Sequence, residues 1–276
     1  MAKKLLIAVF GLSIVYWLIF VSISGYSQHP LGIYTQIPII IMATFTGLWG
    51  ISQIKLWGGF KTTMGKAVMG LSSSELFYGI GFLIWTWYIF SGVSLPYPSF
   101  ADYAFVLYTP AWLYGIFQLS RAMGISLGIR DVKNIIKEKV VFLLVIIVAS
   151  IASYYLSVNV AHQGTFSILR LNEISPVSVF NLIYNYELLI QIVVIAMIYT
   201  LSRSYLGGIF KTPILIIFFG FLVHYIAMLF FAYGTTTLSY FNGDISDLLF
   251  TIGIFLECFG ILNLDINKVV KGNITK

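Results

Sequence analysis

Eight runs of about twenty mostly apolar residues, separated by short polar segments, decide what this chain can become. They lie at Leu5 to Ser24, Tyr34 to Ile54, Glu75 to Gly92, Asp102 to Leu119, Val140 to Val158, Val177 to Leu201, Thr212 to Tyr233 and Asp247 to Leu264. A run of that length crosses ~30 Å of hydrocarbon as a helix. A helix is imposed because every backbone polar group must find its partner inside the segment. Residues are 59% hydrophobic and only 9% charged, where soluble domains carry roughly 25% charged residues. A water-soluble fold of 276 residues could not cover its surface with so few charges. The expected class is all-α integral membrane, with the lipid bilayer as the main partner.

The start, Met1 to Phe20, has two lysines and then an apolar run. That run is long for a signal peptide and no small-residue cleavage site follows, so it reads as a retained helix. Fifteen of the sixteen Lys and Arg residues fall on one side of the eight spans. They are Lys3 and Lys4; Lys55, Lys61 and Lys66; Arg121, Arg130, Lys133, Lys137 and Lys139; Arg203 and Lys211; and Lys268, Lys271 and Lys276. Only Arg170 lies opposite. The positive-inside bias places both termini in the cytoplasm of a multi-pass cell-membrane protein. The net charge of +6 is thus a matter of topology and gives no reason to expect nucleic acid. The polar stretch Asp131 to Glu138 suggests a short amphipathic helix at the interface.

An internal similarity organises the spans. WGGFKT (Trp57 to Thr62) and LGGIFKT (Leu206 to Thr212) follow the second and sixth spans. Gly81-Phe-Leu-Ile matches Gly220-Phe-Leu-Val, and Asp102, Gly115, Ile116 and Leu119 match Asp247, Gly260, Ile261 and Leu264. Each half has an even number of spans, so the halves keep one orientation as parallel repeats. The expected organisation is a four-helix repeat at 1–126, a cytoplasmic linker at 127–139, and a second four-helix repeat with a short tail at 140–276. By the same alignment Trp85 faces His224 and Trp112 faces Glu257.

Leu95-Pro-Tyr-Pro-Ser-Phe-Ala-Asp102 precedes the fourth span, which continues YAFVLYTPAWLYG. Pro96 and Pro98 favour an extended approach. Ser99 or Asp102 can cap the helix start, and Pro110 is expected to kink the helix near mid-depth. This PYPSxAD…YxP…G element resembles one in multi-helix membrane sensor modules of bacteria and archaea, which often stand before diguanylate cyclase or histidine kinase domains. The second half departs from it, since FNGDISD (Phe241 to Asp247) keeps the aspartate and loses the prolines. The chain is expected to lack an output domain, so the resemblance implies a sensory or ligand-responsive module without signalling chemistry of its own.

Ionisable groups at membrane depth are functional candidates by default. Glu187 and Glu257 each lie ten residues into their spans, and His224 lies twelve residues into its own from the other side. Tyr184 and Gln191 share a helix face with Glu187. These five form a candidate ligand or proton site, with protonated glutamates acting as packing glue as the bland alternative. The candidate external turn comprises Pro96, Pro98, Ser99, Asp102 and Asp247.

Several classes are excluded. Every lysine is near a span end or in a loop, which is incompatible with a retinal Schiff base. His29 and His162 are in loops, which leaves His224 alone at depth and rules out a bis-histidine haem. No phosphate-binding, zinc-protease or paired-cysteine motif occurs, and Cys258 is the one cysteine. No catalytic residues, cofactor or metal are expected. The first functional expectation is a non-catalytic sensor-like or accessory subunit that binds a small ligand, another membrane protein or a signalling subunit. The alternative is a small proton-coupled transporter or permease using the acidic site of the second repeat. The site reading expects Glu187→Gln and Glu257→Gln each to change stability or phenotype; two variants indistinguishable from wild type would end it.

Overall fold

The computed structural model describes residues 1–94, 96–122 and 211–264, with Leu144, Ile147, Val148, Ile151, Ile190, Gln191 and Val194. The polar stretch Asp131 to Glu138, Arg170, Tyr184, Glu187 and the linker at 127–139 lie outside the described residues. So do most of the spans expected at Val140 to Val158 and Val177 to Leu201. Among the described residues all regular structure is helical. The long helices are α1 (Ala2–Ser24), α2 (Gln36–Gln53), α3 (Thr63–Ser91), α4 (Phe100–Ala122), α5 (Lys211–Thr236) and α6 (Ile245–Leu262). Short 3-10 turns at Pro30–Thr35, Ile54–Trp57 and Gly59–Lys61 flank α2.

Among the described residues, five helical segments are long and apolar enough to cross a membrane: Ala2–Ser24, Pro30–Trp57, Thr63–Ser91, Thr212–Thr235 and Ile245–Leu262. Helix α4, with Asp102, Thr109, Pro110, Gln118 and Arg121 along it, is not among them. It runs without a break through Pro110. The approach to it is not uniformly extended, because the Tyr97–Pro98 peptide is cis and the chain bends there.

The largest departure from expectation is the start of the third span. It was expected at Glu75, after a serine run that lowers the hydropathy. The helix instead begins at Thr63, where the Thr62 hydroxyl accepts the Gly65 N–H at 3.0 Å, as an N-cap does. Ser74 satisfies its hydroxyl by donating to the Leu71 carbonyl at 2.7 Å. The small residues Gly70, Ser72 and Ser74 are fully buried, or nearly so, against α2 and α4. Their polarity therefore does not end the helix. Their size lets neighbouring backbones approach, the usual device of helix contacts in lipid.

Close approaches fix the helix directions. A Cβ on Gly70 would lie 2.5 Å from Gly115 Cα, and one on Gly81 would meet the Phe105 ring, so α3 and α4 are antiparallel. Gly260 approaches Pro213 and Ile217, Gly220 approaches Glu257, and Gly253 approaches His224, so α5 and α6 are antiparallel. Gly47 and Gly79 hold α2 antiparallel to α3. Helix α2 runs parallel to α6, with Gln36 at Asp247 and Met42 at Cys258. Helix α1 runs antiparallel to α6, with Trp17 at Gly243 and Phe10 stacked on Phe255. The loops around 25–35, 92–99 and 237–244 share one end of the bundle. The described basic residues Lys3, Lys4, Lys55, Lys61, Lys66, Arg121 and Lys211 share the other.

The contacts also give a second register for comparing the two halves. With Gly115 matched to Gly260, their closest backbone neighbours are Leu71 N and Ile217 N. That is a shift of 146 residues between α3 and α5, against 139 for Gly81 and Gly220. The difference is seven residues, about two helical turns. In the register of these close approaches the residue matched to His224 is Tyr78, where the motif alignment matches Trp85; Glu257 is matched to Trp112 in both.

Gly70→Ala places a methyl group against the Gly115 backbone and is expected to destabilise the bundle by about 1–3 kcal/mol. Gly11→Ala meets nothing within 4 Å and is expected to stay within about 0.5 kcal/mol of wild type. Thermal or detergent unfolding of the two purified variants checks the contrast.

Candidate functional site

Four helices meet at a buried polar cluster. Glu75 on α3 and Glu257 on α6 both have 0% exposure, and His224 on α5 has 4%. Tyr108 on α4 is buried beside them. At 1.5 Å per residue, Glu75 lies about 18 Å from the start of α3 and Glu257 about 18 Å from the start of α6. Both are far from either end of the bundle.

Glycines make the room. A Cβ on Gly220 would lie 2.7 Å from both the Glu257 Cγ and its backbone nitrogen, and one on Gly253 would lie 3.0 Å from the His224 nitrogen. Helices α5 and α6 therefore touch at backbone distance, leaving the longer side chains to reach across the bundle. His224 sits among aromatic rings, with Tyr78 at 5.0 Å and Phe250 at 5.5 Å, both edge-on.

Glu257 is the hub. The Tyr108 hydroxyl donates to Glu257 Oε2 at 2.7 Å, and His224 Nδ1 lies 3.0 Å from Oε1. Tyr108 and His224 are themselves 3.4 Å apart. Glu75 is the buried acid neighbouring Glu257, and its Oε1 has no hydrogen-bond partner among the described side chains. The Cys258 thiol lies 3.4 Å from Glu75 Oε2 and 3.5 Å from the Met42 carbonyl of α2.

Of the expected site residues, His224 and Glu257 are brought together as a hydrogen-bonded pair. Gln191 is buried and donates to Thr109 at 2.5 Å, which places it on α4 one residue from Tyr108. Tyr184 and Glu187 fall outside the described residues. Glu75 and Tyr108 were missed. Glu75 would have been flagged by the rule that found the other acids, had the third span been extended back to its capping threonine. Tyr108 had only its place in the YxP part of the turn element as a signal. Among the described residues no three His, Cys, Asp or Glu side chains form a metal-holding set.

The two loop aspartates cap separate helices. Asp102, at the third position of α4, accepts from the Ser99 N–H at 2.6 Å and the Ser99 hydroxyl at 2.7 Å, one arm of a capping box. At α6 the N-cap is Asp244, which accepts from Ser246 N and Asp247 N. Asp247 is thereby freed to join helices. Its Oδ2 accepts from Gln36 Nε2 at 2.8 Å, Gly243 N at 2.6 Å and Thr35 Oγ1 at 3.4 Å, and its Oδ1 accepts from the Tyr240 hydroxyl at 3.3 Å. Burial, then the Asp247 and Asp244 carboxylates, push the Tyr240 phenol well above its usual range, so it remains a donor. Asp247 therefore ties the start of α2 to the start of α6.

No protein-family model matches the chain, and comparisons with curated proteins and with solved structures gave no match.

Tyr108→Phe removes one donor from the buried Glu257 carboxyl and keeps the ring. It is expected to cost about 1–3 kcal/mol, read as a lower unfolding midpoint of the purified protein.

Proposed function

We propose that the chain is a non-catalytic multi-pass protein of the cell membrane that acts as a sensor-like or accessory subunit for a small ligand or a membrane partner. About eight spans, in two parallel four-helix repeats with cytoplasmic termini, form its frame. Three features support the frame. Asp102 and Asp247 occupy the same third position of α4 and α6. Gly115 and Gly260 make the same close approach to the preceding long helix. Helix α4 ends, and α5 begins, at the end of the bundle that carries the basic residues, the end that faces the cytoplasm under the positive-inside bias.

The observation that carries the functional reading is enclosure. Glu75 and Glu257 both have 0% exposure, whereas a carrier has to open its coupling acids to water on each side in turn. A covered polar hub joining four helices suits a module that changes packing when it is occupied. The sensor-like turn before α4 agrees with that use.

The second reading, a proton-coupled transporter, is favoured by the hydrogen-bonded run of Tyr108, His224, Glu257 and Glu75 across the bundle. Reconstitution into liposomes containing a pH-sensitive dye separates the two. Under an imposed pH gradient and membrane potential, the protein is expected to carry no more proton flux than empty liposomes. Flux that disappears in Glu257→Gln would establish transport and overturn the first reading.

A further inference from the structure

The carboxyl groups of Glu75 and Glu257 are neighbours, both completely buried, and Glu75 Oε1 has no hydrogen-bond partner among the described side chains. An ionised carboxylate offers only acceptors, so a hydrogen bond between two carboxyls exists only while one of them holds a proton. The surrounding donors are few and can be named. Helix α4 supplies the Tyr108 hydroxyl to Glu257, and α5 supplies His224. Helix α6 supplies the Cys258 thiol to Glu75. Helix α3 adds Tyr78, whose ring meets that of His224. Helix α2 contributes Thr46 beside Cys258 and the Met42 carbonyl. The described Lys and Arg residues are all at one end of the bundle, so no basic side chain among them can neutralise the pair.

This donor set closes for one protonation count. With a proton on Glu75, its O–H donates to Glu257, which also accepts from Tyr108 and from His224 in the Nδ1–H tautomer. Without that proton, two neighbouring carboxylates are both charged in a completely buried site, where their repulsion is screened far less than at a surface. The contact that joins α3 to α6 then becomes repulsive.

We infer that Glu75 and Glu257 form a single proton-binding site at membrane depth, in which one shared proton holds α3 against α6 and its release loosens that contact. The ligand of the proposed ligand-responsive module is then a proton, an inference that rests on that sensor-like reading. Among the described residues, Glu75 is the acid that partners Glu257. The released proton passes to bulk water, and no other atom changes hands.

Infrared spectroscopy of the full-length protein in lipid nanodiscs tests this through the C=O stretch of protonated carboxyls. As pH is raised, the wild type is expected to lose a band of one carboxyl in a single titration, and its unfolding midpoint to fall over the same range. The sign follows because the proton stabilises the contact, so stability is present at low pH and lost as pH rises through release. Glu75→Gln and Glu257→Gln are each expected to abolish both the titrating band and the pH dependence of the midpoint. A band that persists unchanged to strongly alkaline pH overturns the proposal, since the acids are then permanent packing groups. A band displaced by sodium at constant pH also overturns it, in favour of a metal-cation site. If either variant fails to fold, the wild-type titration and Glu75→Asp decide, with a shifted titration expected in the latter. Proton flux in liposomes would refute the sensor-like reading while leaving this titration intact, so the two fail separately.

Discussion

A carboxyl group taken out of water has to find hydrogen-bond partners or a proton, and this bundle buries two of them against each other. The rest of the arrangement follows from accommodating that pair. Glu75 comes from near the middle of the longest described helix and Glu257 from the second half of α6. Reaching each other across the bundle requires the intervening backbones to approach closely, which Gly220 and Gly253 permit on the α5–α6 side. Gly70 and Gly115 do the same on the α3–α4 side. Tyr108 and His224 then fill the remaining acceptor positions of Glu257. Small residues and polar hub are thus one device, since in lipid neither close packing nor a polar contact is assisted by expulsion of water.

The second polar knot, at Asp247, works at the loop end of the bundle. It accepts from Gln36 and Thr35 at the start of α2 and from Tyr240 and Gly243 in the loop before α6. Trp17 adds a bond from α1 to the Gly243 carbonyl at 2.9 Å. Helices α2 and α6, which run parallel, are therefore pinned at the loop end by Asp247 and at depth by the contact of Cys258 with Met42.

Some of the site was legible in the sequence. His224 and Glu257 stood out because an ionisable residue in an apolar run is costly enough to need a reason, and they are indeed in contact. Glu75 did not stand out, because three serines preceding it made hydropathy place the start of the helix at Glu75 itself. Hydropathy scores a serine by its hydroxyl. It does not register that Ser74 bonds its own helix's Leu71 carbonyl and fits where a larger side chain would not. The motif match of Trp85 with His224 differs from the packing register for a related reason. Gly-Phe-Leu runs recur easily in apolar helices, so a match can slip by whole turns, and only the backbone approaches at Gly115 and Gly260 fix the register.

By itself the sequence determined that the chain is helical, that its helices are built for lipid, and where most of them begin and end. Those properties depend on local apolar length and on backbone groups that must pair within each segment. Which acids meet was decided only by the tertiary structure. Glu75 and Glu257 are separated by 182 residues, and their encounter depends on the rotation and register of four helices. Those are set by close approaches at glycines, where an added Cβ would meet the neighbouring helix, and no single segment encodes them.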